Sequence, residues 1–411
     1  MAGPPPPAPP NSQPTTPSSR QSTPSEDRMS TFETEEVKML RETVREFGKR
    51  EIAPYIDEWD RQATFPREMA SKMAEVGLLG GRLSPEIGGS GMTYPMITAV
   101  IEEMSYFSAA AGAMVGAPSN SVGKGLAMQG TDEQVDRFLR PFLAGEVHAA
   151  AAVTEPHSGT DIVHKMETTA KKDGTNYILN GEKAWISGIE NADWVVTFAT
   201  LDKSKGRKGV TAFIVDIDTP GVSTKHYEDS HGARTFVSGS VFLQDVVVEE
   251  DRRLGEEGEG YRILMAGTEI GRLACAARAL GMLRATLDVS VEYAKLRETF
   301  GQPIGRHQLV QDKIATMATN LDAARLLTYR VAELKEAGVE RVQREASMAK
   351  LFATNSLVEA TNEAMQIHGA NSHSPEYSVG RLWRDAKSTQ IFDGVNEIHK
   401  VMIAESVLGY R

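Results

Sequence analysis

A carboxylate stands directly before a glycine in Gln390-Ile391-Phe392-Asp393-Gly394-Val395-Asn396-Glu397-Ile398, close to the C-terminal end of the chain. On local grounds Asp-Gly is a turn, because Asp tolerates turn geometry and Gly accepts positive φ. A carboxylate fixed on such a turn can also take a proton from carbon, provided its surroundings are dry enough. Two upstream loops could present a ligand to it. Ala152-Val153-Thr154-Glu155-Pro156-His157-Ser158-Gly159-Thr160-Asp161 offers hydroxyl and backbone N–H donors in a non-helical turn. Gly181-Glu182-Lys183-Ala184-Trp185-Ile186-Ser187-Gly188 follows a short strand and sets a large aromatic face beside a hydroxyl. Each has a plainer reading when taken singly, and a lone tryptophan is more often core than the wall of a site. Glu269 and Arg272, at i,i+3, read most simply as an exposed helix pair.

Other chemistries find no footing. The nine histidines lack metal-ligand spacing, and there is neither a phosphate-binding loop nor a dinucleotide fingerprint. No nucleophile elbow is present. The formal charge of −11 argues against broad nucleic-acid binding. No apolar run approaches the length of a membrane span. The single cysteine, Cys275, cannot form an internal disulfide and lies in the apolar run Leu273-Ala274-Cys275-Ala276-Ala277, which predicts a packed thiol. A reducing compartment fits, the cytoplasm or, in a eukaryote, the mitochondrial matrix.

The elements that must hold these residues fall into three blocks behind a tail. Residues 1–30 are rich in Pro, Ser and Thr, bury too little to fold and predict a disordered segment. Residues 31–148 predict a helical domain. Within it, Glu35 to Ile52 carries Val37, Leu40, Val44 and Phe47 on one face, and Thr131 is a candidate N-cap. Residues 149–255 are punctuated by β-branched runs (Tyr177–Leu179, Val195–Thr200, Val210–Val215, Ser240–Val248) and predict a strand-rich domain, with 203–209 as a hairpin loop. Residues 256–411 predict long helices over 267–297, 306–337 and 342–369, able to pack as a bundle. The class is therefore α+β, with several domains.

Seven segments taken in order resemble the acyl-CoA dehydrogenase family: 85–91, 130–134, 154–161, 185–187, Arg297-Glu298-Thr299-Phe300-Gly301, Gln366-Ile367-His368-Gly369-Ala370, and Phe392-Asp393-Gly394. The resemblance spans about residues 31–411. It implies an N-terminal helical domain, a central β-barrel-like domain and a C-terminal four-helix bundle, commonly in a homotetramer that binds FAD across subunits. By position, Ala152, Val153, Thr154, Gly159 and Thr160 would line the flavin ring. Trp185, Ile186 and Ser187 would cover its far edge, with Ser at a usual Thr position. Arg297 and Thr299 would hold the pyrophosphate of a neighbouring subunit's FAD. Gln308, Gln366, Ile367, His368, Gly369 and Ala370 would pack the adenosine end, with His368 and Ala370 replacing the usual Leu and Gly. Val395, Asn396 and Glu397 would continue the flavin turn, Val395 in place of Thr. Thr160, Glu269, Arg272 and Gly394 would meet the acyl-CoA.

The family's usual base is Glu where this chain has Asp393, and an alternative base position on an upstream helix is here Gly271. The resemblance thus makes Asp393 the base for α-proton abstraction and implies an α,β-dehydrogenation with an electron-transfer flavoprotein as acceptor. The shorter side chain points to a cyclic or otherwise atypical acyl group. Related readings are a nitroalkane-oxidase-like flavoprotein, whose family also uses Asp, and an enoyl-CoA reductase running the reaction backwards.

Overall fold

The computed structural model of the protein describes residues 33–119 and 121–410; the predicted tail at 1–30 lies outside them, as does the side chain of Glu269. The first block is helical: α1 (Glu35–Glu51), α2 (Ile56–Gln62), α3 (Met69–Glu75), α4 (Tyr94–Phe107), α5 (Ala109–Gly116), α6 (Ser121–Gln129), α7 (Asp132–Gln134) and α8 (Arg140–Leu143). The amphipathic stretch predicted from Glu35 forms α1, with Val37, Val44 and Phe47 buried and the Thr34 hydroxyl capping the Val37 N–H at 3.3 Å. Thr131 is the N-cap of α7, as predicted, and Gln134 completes a reciprocal capping box with it.

The middle block is a sheet of β1 (Ala149–Ala152), β2 (Thr169–Asp173), β3 (Asn176–Ser187), β4 (Trp194–Thr200), β5 (Val210–Asp216), β6 (Val222–His226), β7 (Ser238–Val248) and β8 (Arg253–Leu254). The strand order is β6-β7-β3-β2-β4-β5-β8, and β1 runs parallel to β4. β4 and β5 form the predicted hairpin across 203–209, and each is buried along nearly its whole length. That burial explains their unbroken apolar sequences.

The last block holds α9 (Gly260–Leu296), the small hairpin β9 (Glu298–Thr299) and β10 (Gln302–Pro303), α10 (Gln308–Glu336), α11 (Gln343–His368), α12 (Val379–Thr389) and α13 (Asn396–Leu408). α9 begins seven residues before the predicted 267, because its first turn packs tightly on the sheet. A Cβ at Gly260 would lie 2.7 Å from the Thr211 carbonyl carbon. Further along, α9 crosses α4 so closely that a Cβ at Gly281 would come within 2.1 Å of the Glu102 carbonyl oxygen. α9 therefore touches all three blocks, and the candidate site is built along it.

The seam between α1, α4 and the bundle is charged. Glu102 and Glu103 are fully buried in their side chains and are met by Arg41, Arg284 and Arg325. The Tyr329 hydroxyl donates to Glu102 at 2.9 Å. Among the described residues, no helix is long and apolar enough to cross a membrane.

Candidate active site

The Asp-Gly turn predicted at 393–394 links α12 to α13. Asp393 itself has φ 55°, a left-handed conformation that Asp adopts more readily than most side chains, and Gly394 follows at φ 90°. Two buried groups fix the Gly394 carbonyl. Lys350 Nζ donates to it at 2.8 Å and to Asn396 Oδ1 at 2.8 Å. His399 Nε2 lies 3.0 Å from the same oxygen. Burial, with the Lys350 and Arg272 charges, pushes the His399 imidazole down to about 4. The ring is thus neutral at neutral pH, carries its proton on Nε2 toward Gly394, and accepts the Ser347 hydroxyl on Nδ1 at 3.3 Å. The amide N–H groups of Asp393 and Gly394 bond to nothing among the described residues. They are available to an oxyanion.

The Asp393 carboxylate lies against α9. Oδ2 accepts from Arg278 Nη2 at 2.7 Å, and Oδ1 faces the bare backbone at Gly271, where a Cβ would sit 3.3 Å away. Arg278 also lies over the Phe392 ring, 4.3 Å from its centroid. Sequence reasoning missed Arg278, Lys350 and His399. The signal for Arg278 was present: one cation in the apolar stretch Leu273 to Gly281, two turns from Gly271 on the same helix face. The packed reading of Cys275 holds. It is fully buried between this site and Thr389, and burial pushes its thiol up to about 11.

The two polar loops are joined to each other. Ala184 N–H donates to the Thr154 carbonyl at 2.8 Å. Beneath it, buried Lys183 donates to Glu155 at 2.8 Å, and Glu155 also accepts the Glu167 and Thr168 N–H groups. Burial works to raise the Glu155 carboxyl, but Lys183 and these donors hold it below the usual range. The β3–β7 register slips between Lys183 and Ile186, and Trp185 at φ 59° sits on that bulge, 65% exposed and edge-on to Tyr227. Ser187 is exposed beside it, its hydroxyl 3.4 Å from that of Ser238. Gly159 and Thr160 are exposed, and their N–H groups have no partner among the described residues.

Arg297, Thr299, Gln308 and the 366–370 segment gather at the far end of α9. Arg297 and Gln308 are exposed, and the Thr299 hydroxyl meets His307 Nε2 at 3.0 Å. Gln366, Gly369 and Ala370 are exposed at the end of α11. At 1.5 Å per residue, Arg297 lies about 37 Å along the helix from Arg272. Several predicted contacts are packed inward instead. The side chains of Ala152, Ile186 and Ile367 belong to the core. His368 stacks on Tyr293 at 4.2 Å, and Asn396 bonds Lys350, Thr354 and Asn355. The side chains of all five are buried within this chain. Val395 is half-buried and Glu397 exposed at the start of α13.

The chain matches three successive family descriptions: "Acyl-CoA dehydrogenase, N-terminal domain" over 34–146, "middle domain" over 150–246 and "C-terminal domain" over 258–408. It is 39% identical to the 3-(aryl)acrylate reductase of Clostridium sporogenes, over 92% of this chain and 100% of that protein. It is 35% identical to the caffeyl-CoA reductase-Etf complex subunit CarC of Acetobacterium woodii, over 91% and 99%. The butyryl-CoA dehydrogenase structure from Megasphaera elsdenii superposes with a TM-score of 0.86 at 34% identity, covering 91% of this chain and 98% of that one. The chain belongs to the acyl-CoA dehydrogenase family, whose members are FAD-dependent oxidoreductases.

The donor set suits FAD. An exposed indole at positive φ, with the Ser187 hydroxyl two residues on and the 154–160 loop tied to its strand at Ala184, offers a flat apolar wall with hydrogen-bond donors on the neighbouring chain.

Proposed function

We propose that the protein is an FAD-dependent oxidoreductase acting on the α,β-carbons of an acyl thioester, with Asp393 moving the α-proton. The carrying observation is the carboxylate held on the 393–394 turn beside Gly271, with free amide N–H groups on the same turn. The Asp393 N–H would meet enolate charge on the thioester oxygen, a role for which donors placed in advance are effective. Thr154, Gly159, Thr160, Trp185 and Ser187 would hold the flavin ring. Bound FAD supplies the hydride acceptor. Thr160, Glu269, Arg272 and Gly394 would meet the acyl-CoA.

Arg297, Thr299, Gln308 and the 366–370 segment sit too far along α9 to serve the same ring, so they fit the distal part of a neighbouring subunit's FAD. Large exposed apolar side chains on the C-terminal helices, including Leu309, Val401, Val407 and Leu408, are consistent with burial in a homotetramer. An electron-transfer flavoprotein is the proposed redox partner, in keeping with the Etf complex named for the Acetobacterium relative.

The same residues serve either direction, and the names of two relatives, acting on an arylacrylate and on caffeyl-CoA, favour an aryl-substituted or otherwise bulky acyl group and give the reductive direction its weight. The test is anaerobic titration of the FAD-loaded protein with straight, branched, cyclic and 3-arylpropionyl-CoAs. At least one is expected to bleach the flavin, and Asp393→Asn should abolish the bleaching. Absence of bleaching with every thioester, joined to rapid peroxide formation from nitroethane, would establish the nitroalkane-oxidase-like reading instead.

A further inference from the structure

We propose that Arg278 is a positioning residue for the base: it anchors Asp393 Oδ2 so that Oδ1 becomes the proton-accepting atom. The proposal rests on the reading of Asp393 as the group that moves the α-proton. Three observations carry it. Arg278 Nη2 donates to Oδ2 at 2.7 Å, and its side chain is only 13% exposed against 36% for Asp393. The guanidinium is held from its other face by the Phe392 ring, 4.3 Å away, one residue before the carboxylate that it grips. Oδ1 accepts no hydrogen bond from the described residues and faces the gap left at Gly271.

The geometry divides the two oxygens between α9 positions two turns apart. Arg278 takes one, and no side chain at Gly271 crowds the other. Asp, being short, has few ways to place its carboxylate from a backbone at φ 55°. A planar, permanently charged donor locks it where a neutral or flexible one would not. In the oxidative direction the α C–H bond breaks, its electron pair stays on the acyl group as the enolate, and the proton bonds to Oδ1. In the reductive direction the same proton returns from Oδ1 to carbon. Arg278 keeps Oδ2 throughout.

The experiment compares FAD-loaded wild type, Arg278→Gln, Arg278→Lys, Asp393→Asn and the Arg278→Gln/Asp393→Asn pair, using the thioester that bleaches the flavin best. We expect Arg278→Gln to lower kcat by about 10- to 100-fold, the scale of a misplaced reacting group, with KM within threefold. FAD content and Tm should stay near wild type. Arg278→Lys should recover part of the loss. The double variant should be no slower than Asp393→Asn alone, because both act on one step. A crystal structure of Arg278→Gln should show the carboxylate rotated away from its wild-type position. If Arg278→Gln fails to retain FAD, Arg278→Met, which also removes the charge, carries the comparison, and a wild-type kcat with an unmoved carboxylate there overturns the proposal. So does an Arg278→Gln effect confined to KM, or losses that multiply in the double variant. Wild-type turnover by Asp393→Asn would instead overturn the assignment of the base, a separate outcome.

Discussion

At the scale of single residues, the site is distinguished by what stands on either side of one short carboxylate. Gly271 is helical, so its lack of a side chain is not required by backbone conformation; what it provides is space, since a Cβ there would lie 3.3 Å from Asp393 Oδ1. Gly271→Ala separates these effects. Alanine favours the helix by about 1 kcal/mol, so Tm should not fall. The added methyl crowds Oδ1, so kcat should fall by about threefold to tenfold. Thermal unfolding and steady-state rates measured on one preparation check both, and an unaltered kcat would show that the gap has no catalytic use. The turn at 393–394 was legible from Asp-Gly alone. Its partners were not read from it: Lys350 and Arg278 come from helices 44 and 115 positions away, and although Arg278 stands out in its apolar stretch and His399 is only five residues from Gly394, nothing local shows that they turn toward this turn.

At the scale of elements, the two ligand-facing loops depend on a buried pair that neither loop's sequence advertises. Lys183 and Glu155 are both within the quoted motifs, but their pairing follows from β3 running beneath the 152–161 loop. Lys183→Met leaves Glu155 buried without its cation and should cost about 3–5 kcal/mol. FAD affinity should fall with it, since Thr154 and Trp185 lose a common support. Adding Glu155→Gln should restore much of the stability. Urea midpoints and flavin fluorescence titrations read the two effects, and a Lys183→Met protein of unchanged midpoint would exclude this role. The exposed position of Trp185 also belongs to this scale: the bulge in β3 turns outward a residue whose type alone predicts burial.

At the scale of the whole molecule, the N-terminal domain is joined to the bundle through charge. Glu103 accepts from Arg41, Arg45 and Arg284 at 2.6–2.9 Å. Burial acts to raise its carboxyl, but Arg284 first, then Arg45 and Arg41, pull it down to about 2. A lowered folded-state value means the stabilisation is complete above the unfolded value near 4.5 and is lost as pH falls through about 2. Glu103→Gln should therefore lower stability at pH 7 by about 3–5 kcal/mol and flatten the decline of Tm between pH 5 and pH 3. Calorimetry across that range is the check; an equal loss at both ends would mean the pair acts through packing alone.

The sequence by itself determined the order of helical, strand-rich and helical blocks, the ends of several elements and the family, because periodicity, caps and turn residues are local and the family's loops keep their spacing. The long helices were legible as helices, although the start of α9 was misplaced, since only packing against β5 shows that Gly260 already belongs to it. Tertiary structure decided the rest. It buried the side chains of five predicted contact residues, placed Arg297 far from Arg272 along one helix, and set Arg278 against Asp393 across 115 positions of sequence. Such distances are fixed by how α9 packs on all three blocks at once, and no local pattern encodes them.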